Sequence, residues 1–235
     1  MRLRPKICLF SVAVFTIIAL SSTPLSGQSF IIVKKTKTYI QQTREDSLHK
    51  MIEVKTLLPA AVYDLRYATT DNFTKQQLYK QRNNTFLRLP AAAALANVQQ
   101  ELNTHGFGIK IFDAYRPYSV TKKMWELVKD GRYVAHPSKG SGHNRGLAID
   151  LTLIDQASGK EADMGTGFDH FSDTAHHSFT ALPQQVLNNR RLLKETMTRH
   201  GFLSLSTEWW HYSWPNDRNY AVLDLSFKEL AKSVY

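Results

Sequence analysis

With 235 residues, 43% of them hydrophobic, the chain is long enough to bury one sizeable core, and nothing in its composition forces a second domain. Thirty basic residues against twenty acidic ones give a formal charge of +10 at neutral pH. The basic residues are scattered and form no long Lys/Arg block or recognisable nucleic-acid module, so a nucleic-acid partner is not expected and an anionic cell envelope fits the charge better.

The chain opens with Arg2, Arg4 and Lys6, runs through uncharged apolar residues from Ile7 to Leu20, and continues in small and polar residues to Gly27. This is the architecture of a secretory signal peptide over residues 1–27. The apolar run of about 14 residues falls short of the roughly 20 that cross a bilayer, so no stable membrane span is expected once the signal is removed. Export to the periplasm or the exterior of a bacterial cell is the expected localisation. Cleavage is expected after Gly27, with Ser22 and Thr23 as alternatives. The mature chain would carry 27 basic and 20 acidic residues, a charge of +7, and no cysteine, because Cys8 is the only one. That excludes disulfides and thiolate catalysis, and any metal must be held by His, Asp or Glu.

Residues 28–50 are expected to form a polar leader, with the compact domain running from about Met51 to residue 235. VYDLRY (62–67) alternates as a strand, and the polar, turn-rich residues 68–83 after it suggest a loop. Pro90 and Gly106 bracket strong helix formers, which predicts a helix between them, and GIKIFDAY (108–115) alternates as a strand. Pro117 opens a second helix that Gly131 is expected to end. A loop through residues 132–146 then delivers the chain to a β-branched strand, GLAIDLTLID (146–155). After a Gly- and Asp-rich excursion over 155–178, residues 184–201 read as a third helix closed by Gly201, and FLSLSTEWWHYSW (202–214) as a strand or hairpin. Helices separated by short strands, without a Rossmann glycine fingerprint, predict a single α+β domain whose central sheet is largely antiparallel and flanked by helices.

Two segments carry chemistry. His143 sits in what reads as a flexible turn, and Asp150 lies in an otherwise apolar strand, where alternation puts it on the face opposite Ile149 and Leu151. A buried carboxylate there needs a partner. Either a metal or a nearby basic side chain would serve, the second leaving His143 an ordinary loop residue. The other segment, Thr207 to Tyr212, adds Glu208 and His211 among aromatics that exclude water. Two histidines and a carboxylate make a catalytic zinc set that leaves a fourth position for water, with Glu208 as base. Three-residue spacing puts Glu208 and His211 on opposite faces of a regular strand, so a bulge or turn is required between them. Of nine histidines, His170, His176 and His177 read as solvated loop residues.

Ser141 to Asp150, SGHNRGLAID, resembles the Ser-x-His-x-x-Gly-x-Ala-x-Asp motif of the D-Ala-D-Ala dipeptidases, and Glu208 to His211, EWWH, resembles their Glu-x-x-His motif. The likeness extends to YDLRYATTDNF (63–73), FDAYRP (112–117) and MGTGFD (164–169), covering most of residues 51–214. It implies the zinc fold shared by DD-peptidases and hedgehog-like domains, and a single zinc ion per chain held by His143, Asp150 and His211 with Glu208 as general base. It also implies that Arg116 stabilises the oxyanion, that Asp169 grips the free amino group of a small dipeptide, and that Ser141 lines the site. Tyr63, Asp64 and Arg66 would brace the sheet.

An export signal departs from the members associated with glycopeptide resistance, which act in the cytoplasm, and points to salvage of D,D-dipeptides from wall turnover. A D,D-carboxypeptidase trimming peptidoglycan stem peptides is the second reading. A catalytically silent, metal-bound wall-binding module is the third, against which Glu208 and Arg116 argue. Protein expressed from the full-length sequence in a bacterial host should be recovered outside the cytoplasm with its amino terminus at or near Gln28. Uncleaved, active protein in the cytoplasm would defeat the export expectation.

Overall fold

The computed structural model describes residues 30–81 and 83–233, so the expected signal peptide lies outside the described residues. Strand β1 (Ile32–Val33) leads through helix α1 (Thr36–Glu45) to β2 (Met51–Glu53), the single helical turn α2 (Val54–Leu57) and β3 (Val62–Tyr63). After a long loop come β4 (Phe86–Arg88), α3 (Leu89–Thr104), β5 (Phe107–Asp113), α4 (Tyr118–Val128) and the one-turn α5 (Gly142–Arg145). The chain continues with β6 (Ala148–Asp155), α6 (Gln184–Arg199), β7 (Leu203–Ser204), β8 (His211–Ser213), β9 (Val222–Leu223) and α7 (Phe227–Ser233). No helix among the described residues is long and apolar enough to cross a membrane.

The central sheet has five strands in the order β3-β5-β6-β8-β7. Only the β3–β5 pair is parallel; the others are antiparallel. The architecture is therefore the expected α+β one. In the antiparallel register Ile109 faces Leu153, Ile111 faces Leu151 and Ile149 faces Tyr212, so these side chains share one face of the sheet. All are fully buried, in one core with Leu95, Val98 and Leu102 of α3 and Leu193 and Met197 of α6. Burying each such aliphatic side chain favours the folded state by roughly 1.5–3 kcal/mol.

One irregularity decides what the other face carries. The β5–β6 register shifts between Ile111 and Asp113. Strict alternation would aim Asp113 into the core with Ile111. The bulge at Phe112 instead sets it opposite Asp150.

Several local expectations differ from the structure. The strand over 62–67 is cut to Val62–Tyr63, and Arg66–Ala68 is a turn of 3-10 helix that buries Tyr67 and Ala68. Helix α4 ends two residues before Gly131, at Lys129 with φ 50, so a lysine takes the left-handed position. Residues 142–145 form a capped helical turn and not a flexible loop.

The polar leader is the largest correction. Its polarity belongs to the exposed side of α1, while Val33 and Tyr39 enter the core and β1 pairs in parallel with β9. The Tyr39 hydroxyl accepts a hydrogen bond from the Met51 amide at 2.7 Å. Tyr39→Phe should leave that buried N–H unpaired and lower unfolding stability by about 1–3 kcal/mol. Denaturant titration reads this directly, and an unchanged midpoint would mean the segment is only loosely attached.

Candidate functional site

Asp113, Asp150 and His211 lie side by side across β5, β6 and β8, because Asp150 is the register partner of both. The fourth member arrives from α5, the turn that feeds β6. Ser141 caps this turn: its hydroxyl accepts from the His143 amide at 3.0 Å, and Asn144 returns a bond to the Ser141 amide at 3.1 Å. Gly146 closes it at φ 70, where a Cβ would stand 2.6 Å from Met51 Sδ. The turn is thus built to a fixed shape, and His143 points from it into the sheet face.

His143 Nε2 stands 3.4 Å from Asp150 Oδ2, and His211 Nδ1 2.8 Å from Asp150 Oδ1. One donor atom from each of the three residues lies within 4.8 Å of the others. The second nitrogen of His143, Nδ1, is 2.7 Å from the Ala114 carbonyl, which takes its proton and leaves the Nε2 lone pair facing the cluster. Burial drives the His143 pKa down to about 3, so this imidazole is neutral. Burial opposes the charge on Asp150 too, but the hydrogen bond from His211 and the nearby cationic groups, Arg116 among them, hold the carboxyl below its ordinary value. An imidazole with its lone pair free, a carboxylate and a second imidazole, open to a cleft, are a donor set that suits a borderline divalent ion.

Glu208 enters from the loop between β7 and β8. The His211 amide donates to the Glu208 carbonyl at 3.3 Å, a turn that meets the spacing requirement between the two residues. Trp209 and Trp210 anchor it, both buried, with Trp209 Nε1 donating to Thr166 Oγ1 at 2.7 Å. Burial lifts the Glu208 carboxyl to about 7; His211 pulls against this and Asp150 adds to it.

Arg116 is buried, and its Nε and Nη2 donate to Asp113 Oδ2 at 2.9 and 2.7 Å. Its guanidinium lies 4.9 Å from the centre of the Tyr67 ring. Burial works against the Arg116 charge, but Asp113, Tyr67 and Asp150 together more than offset it. The Tyr67 hydroxyl in turn bonds both oxygens of Asp169, at 3.1 and 3.0 Å. Asp169 has φ 58, a left-handed conformation that aspartate tolerates. Burial, reinforced by the charge of Asp150, raises its pKa well above the ordinary carboxylate range.

All seven residues singled out from the sequence, Ser141, His143, Asp150, Asp169, Glu208, His211 and Arg116, line one cleft of about 670 Å³. Sequence reasoning missed three residues that hold them. Asp113 anchors Arg116, Tyr79 donates to Asp113 Oδ1 at 2.7 Å, and Tyr67 bridges Arg116 to Asp169. An acidic residue closing the apolar run GIKIF was the available signal for Asp113; the tyrosines carried none. Asp64 and Arg66 pair with each other, and Lys110 joins them from β5. The three loop histidines divide: His170 and His176 line the cleft, whereas His177 turns inward and burial lowers its pKa to about 4.

A family model described as D-ala-D-ala dipeptidase, Peptidase_M15, matches residues 47–233. The D-alanyl-D-alanine dipeptidase of Escherichia coli (strain K12) is 36% identical over 174 residues, covering 74% of this chain and 89% of that protein. Those of Streptomyces coelicolor and Enterococcus faecalis are 34% and 33% identical, covering 68% and 66% of this chain and 89% and 87% of their own lengths. Among solved structures, that of an LD-carboxypeptidase is similar with a TM-score of 0.40 at 19% identity, over 67% of this chain and 75% of that one. The chain is a peptidase, and it belongs to the D-Ala-D-Ala dipeptidase family.

Proposed function

We propose that this protein is an exported zinc dipeptidase that hydrolyses D-Ala-D-Ala. The observation that carries the reading is the meeting of a His-Asp-His donor set, a carboxyl with a pKa near neutrality and a fixed guanidinium on the wall of one cleft.

His143, Asp150 and His211 would hold the zinc. Zinc bound there supplies Lewis-acid polarisation of the peptide carbonyl and acidifies water. Glu208 accepts a proton from the attacking water as its oxygen adds to the carbonyl carbon. When the C–N bond breaks, Glu208 returns that proton to the leaving amine, and the water oxygen stays in the new carboxylate. A pKa near the working pH suits a group that must take and give a proton in one cycle. Arg116 has two of its nitrogens on Asp113, so its orientation is set before substrate arrives and its charge faces the oxyanion at no cost of reorganisation.

Asp169 with Tyr67 forms the grip for the free ammonium. The buried carboxyl that is reluctant to ionise alone becomes anionic when a cation is placed against it. A dipeptide brings that ammonium within one residue of the scissile bond, whereas a longer peptide does not. The family relationship supports D-Ala-D-Ala as the substrate, and the signal-like segment supports salvage of D,D-dipeptides outside the cytoplasm.

Four outcomes test this. With zinc supplied, the protein should release D-alanine from D-Ala-D-Ala and not from a stem pentapeptide ending in D-Ala-D-Ala. Comparable cleavage of the pentapeptide would make it a carboxypeptidase, and zinc binding without any cleavage would make it a binding module. Glu208→Gln should retain zinc while kcat falls by about 10²–10⁴. In the wild type kcat/KM should climb as pH rises towards 7, because only ionised Glu208 accepts a proton, and a profile that falls between pH 5 and 7 excludes Glu208 as the base. Asp113→Asn should lower kcat with little change in KM, because it frees Arg116 without touching the dipeptide termini.

A further inference from the structure

The turn that presents Ser141 and His143 to the cleft is held by two guanidinium groups. Arg145 reaches back along it, with Nη1 on the Ser141 carbonyl at 3.1 Å and Nη2 on the Lys139 carbonyl at 3.2 Å. Arg88, fully buried, donates Nε to the Arg145 carbonyl at 2.8 Å, Nη2 to the Ala221 carbonyl at 3.1 Å, and Nη1 to the carbonyl of His49. Among the described residues neither arginine has a carboxylate partner. Arg145 Nε is buried without any hydrogen bond.

A guanidinium paired only with carbonyls stays in place while water is kept from it. For Arg145 part of that cover is Phe30, whose ring centre is 5.5 Å from the guanidinium carbon, the bond to Lys139 remaining exposed. Phe30 is itself set edge-on against Tyr118, with ring centres 6.0 Å apart. The backbone just behind it is tied into the body: the Val222 amide donates to the Ile31 carbonyl at 3.1 Å and the Asp224 amide to the Val33 carbonyl at 2.8 Å. At Gly140, immediately before the turn, a Cβ would stand 2.7 Å from Val222, 3.1 Å from Arg145 Nη1 and 3.5 Å from Phe30. Turn, strand β9 and Phe30 therefore meet at one point, and Phe30 precedes the residues 47–233 that match the family.

We propose that Phe30 is a positioning residue for the metal site, holding the Arg145 guanidinium against the Ser141 and Lys139 carbonyls and so fixing the turn from which His143 points. The aromatic face attracts the cation and so favours the position in which it reaches both carbonyls. Without it Arg145 is free to swing outward, and the imidazole loses part of its fixed direction. A stretch outside the family-matched region thus becomes part of the site's support.

This inference rests on the reading of His143, Asp150 and His211 as a zinc site. The test is a competition titration of protein expressed from the full-length sequence, with zinc against a chromogenic chelator, alongside kcat and KM for D-Ala-D-Ala. Phe30→Ala should weaken zinc retention by roughly tenfold, the lower end of what supporting residues contribute, with KM at saturating zinc nearly unchanged. Phe30→Tyr, which keeps the ring, should restore retention, and Arg145→Lys, which loses the two-point brace, should reproduce the loss. Ile31→Ala is the control, since that side chain is 68% exposed. Wild-type zinc affinity in both Phe30→Ala and Arg145→Lys, or equal loss in Phe30→Tyr, overturns the proposal. Wild-type protein that retains no zinc would instead remove the metal-site reading.

Discussion

A carboxylate buried in the middle of an apolar strand is unfavourable by several kcal/mol unless charge and hydrogen bonds answer it. Asp150 lies in β6 with fully buried neighbours on either side, and the site is arranged around satisfying it. His211 answers from β8 with a hydrogen bond to Oδ1, while His143 from α5 turns its free nitrogen towards Oδ2 across the position a metal ion would take. The same demand explains the geometry one step further out. His143 is oriented by the Ala114 carbonyl, and Ala114 directly follows the bulged end of β5. The helical turn and the hairpin each bring a histidine to the same carboxylate, and the bulge brings the carbonyl that orients one of them.

A second buried pair shares the wall. Asp113 and Arg116 are three residues apart and both buried, and the pair is linked by Tyr79 on one side and Tyr67 on the other. Burial pushes the Asp113 carboxyl up to about 6, with Arg116 pulling against this and Asp150 adding to it. Three carboxyls with raised pKa values, Asp113, Asp169 and Glu208, therefore stand around one whose pKa is lowered, Asp150. Asp113 is held ionised by the Arg116 guanidinium, so the contrast sets Asp169 and Glu208, which burial inclines to hold a proton, against Asp150, which stays ionised.

Most of the fold's punctuation was legible. Pro90 and Gly106 around α3, Pro117 before α4, and Gly201 after α6 mark real boundaries, because proline and glycine act through local backbone geometry. His143, Asp150, Glu208 and His211 were legible through motif spacing, which survives whatever the secondary structure does, whereas Arg116, Asp169 and Ser141 were legible only through the likeness to the family. What escaped depended on contacts distant in sequence. Tyr39 looks like an isolated aromatic in a polar stretch until β1 is seen against β9, and Tyr67 meets Asp169 across 102 positions. The inward turn of His177 likewise depends on its packing beside Tyr212, which no local pattern reveals.

The bond from His143 Nδ1 to the Ala114 carbonyl also bears on when a metal arrives. Small domains that wait for a metal to draw their ligands together are unfolded without it. Here the ligand atoms are already aimed by hydrogen bonds internal to the protein, on a sheet closed by its own apolar core. A metal ion taken up there would meet ligands already placed, so that loading would be separable from folding and the ion would come from whatever surrounds the finished protein.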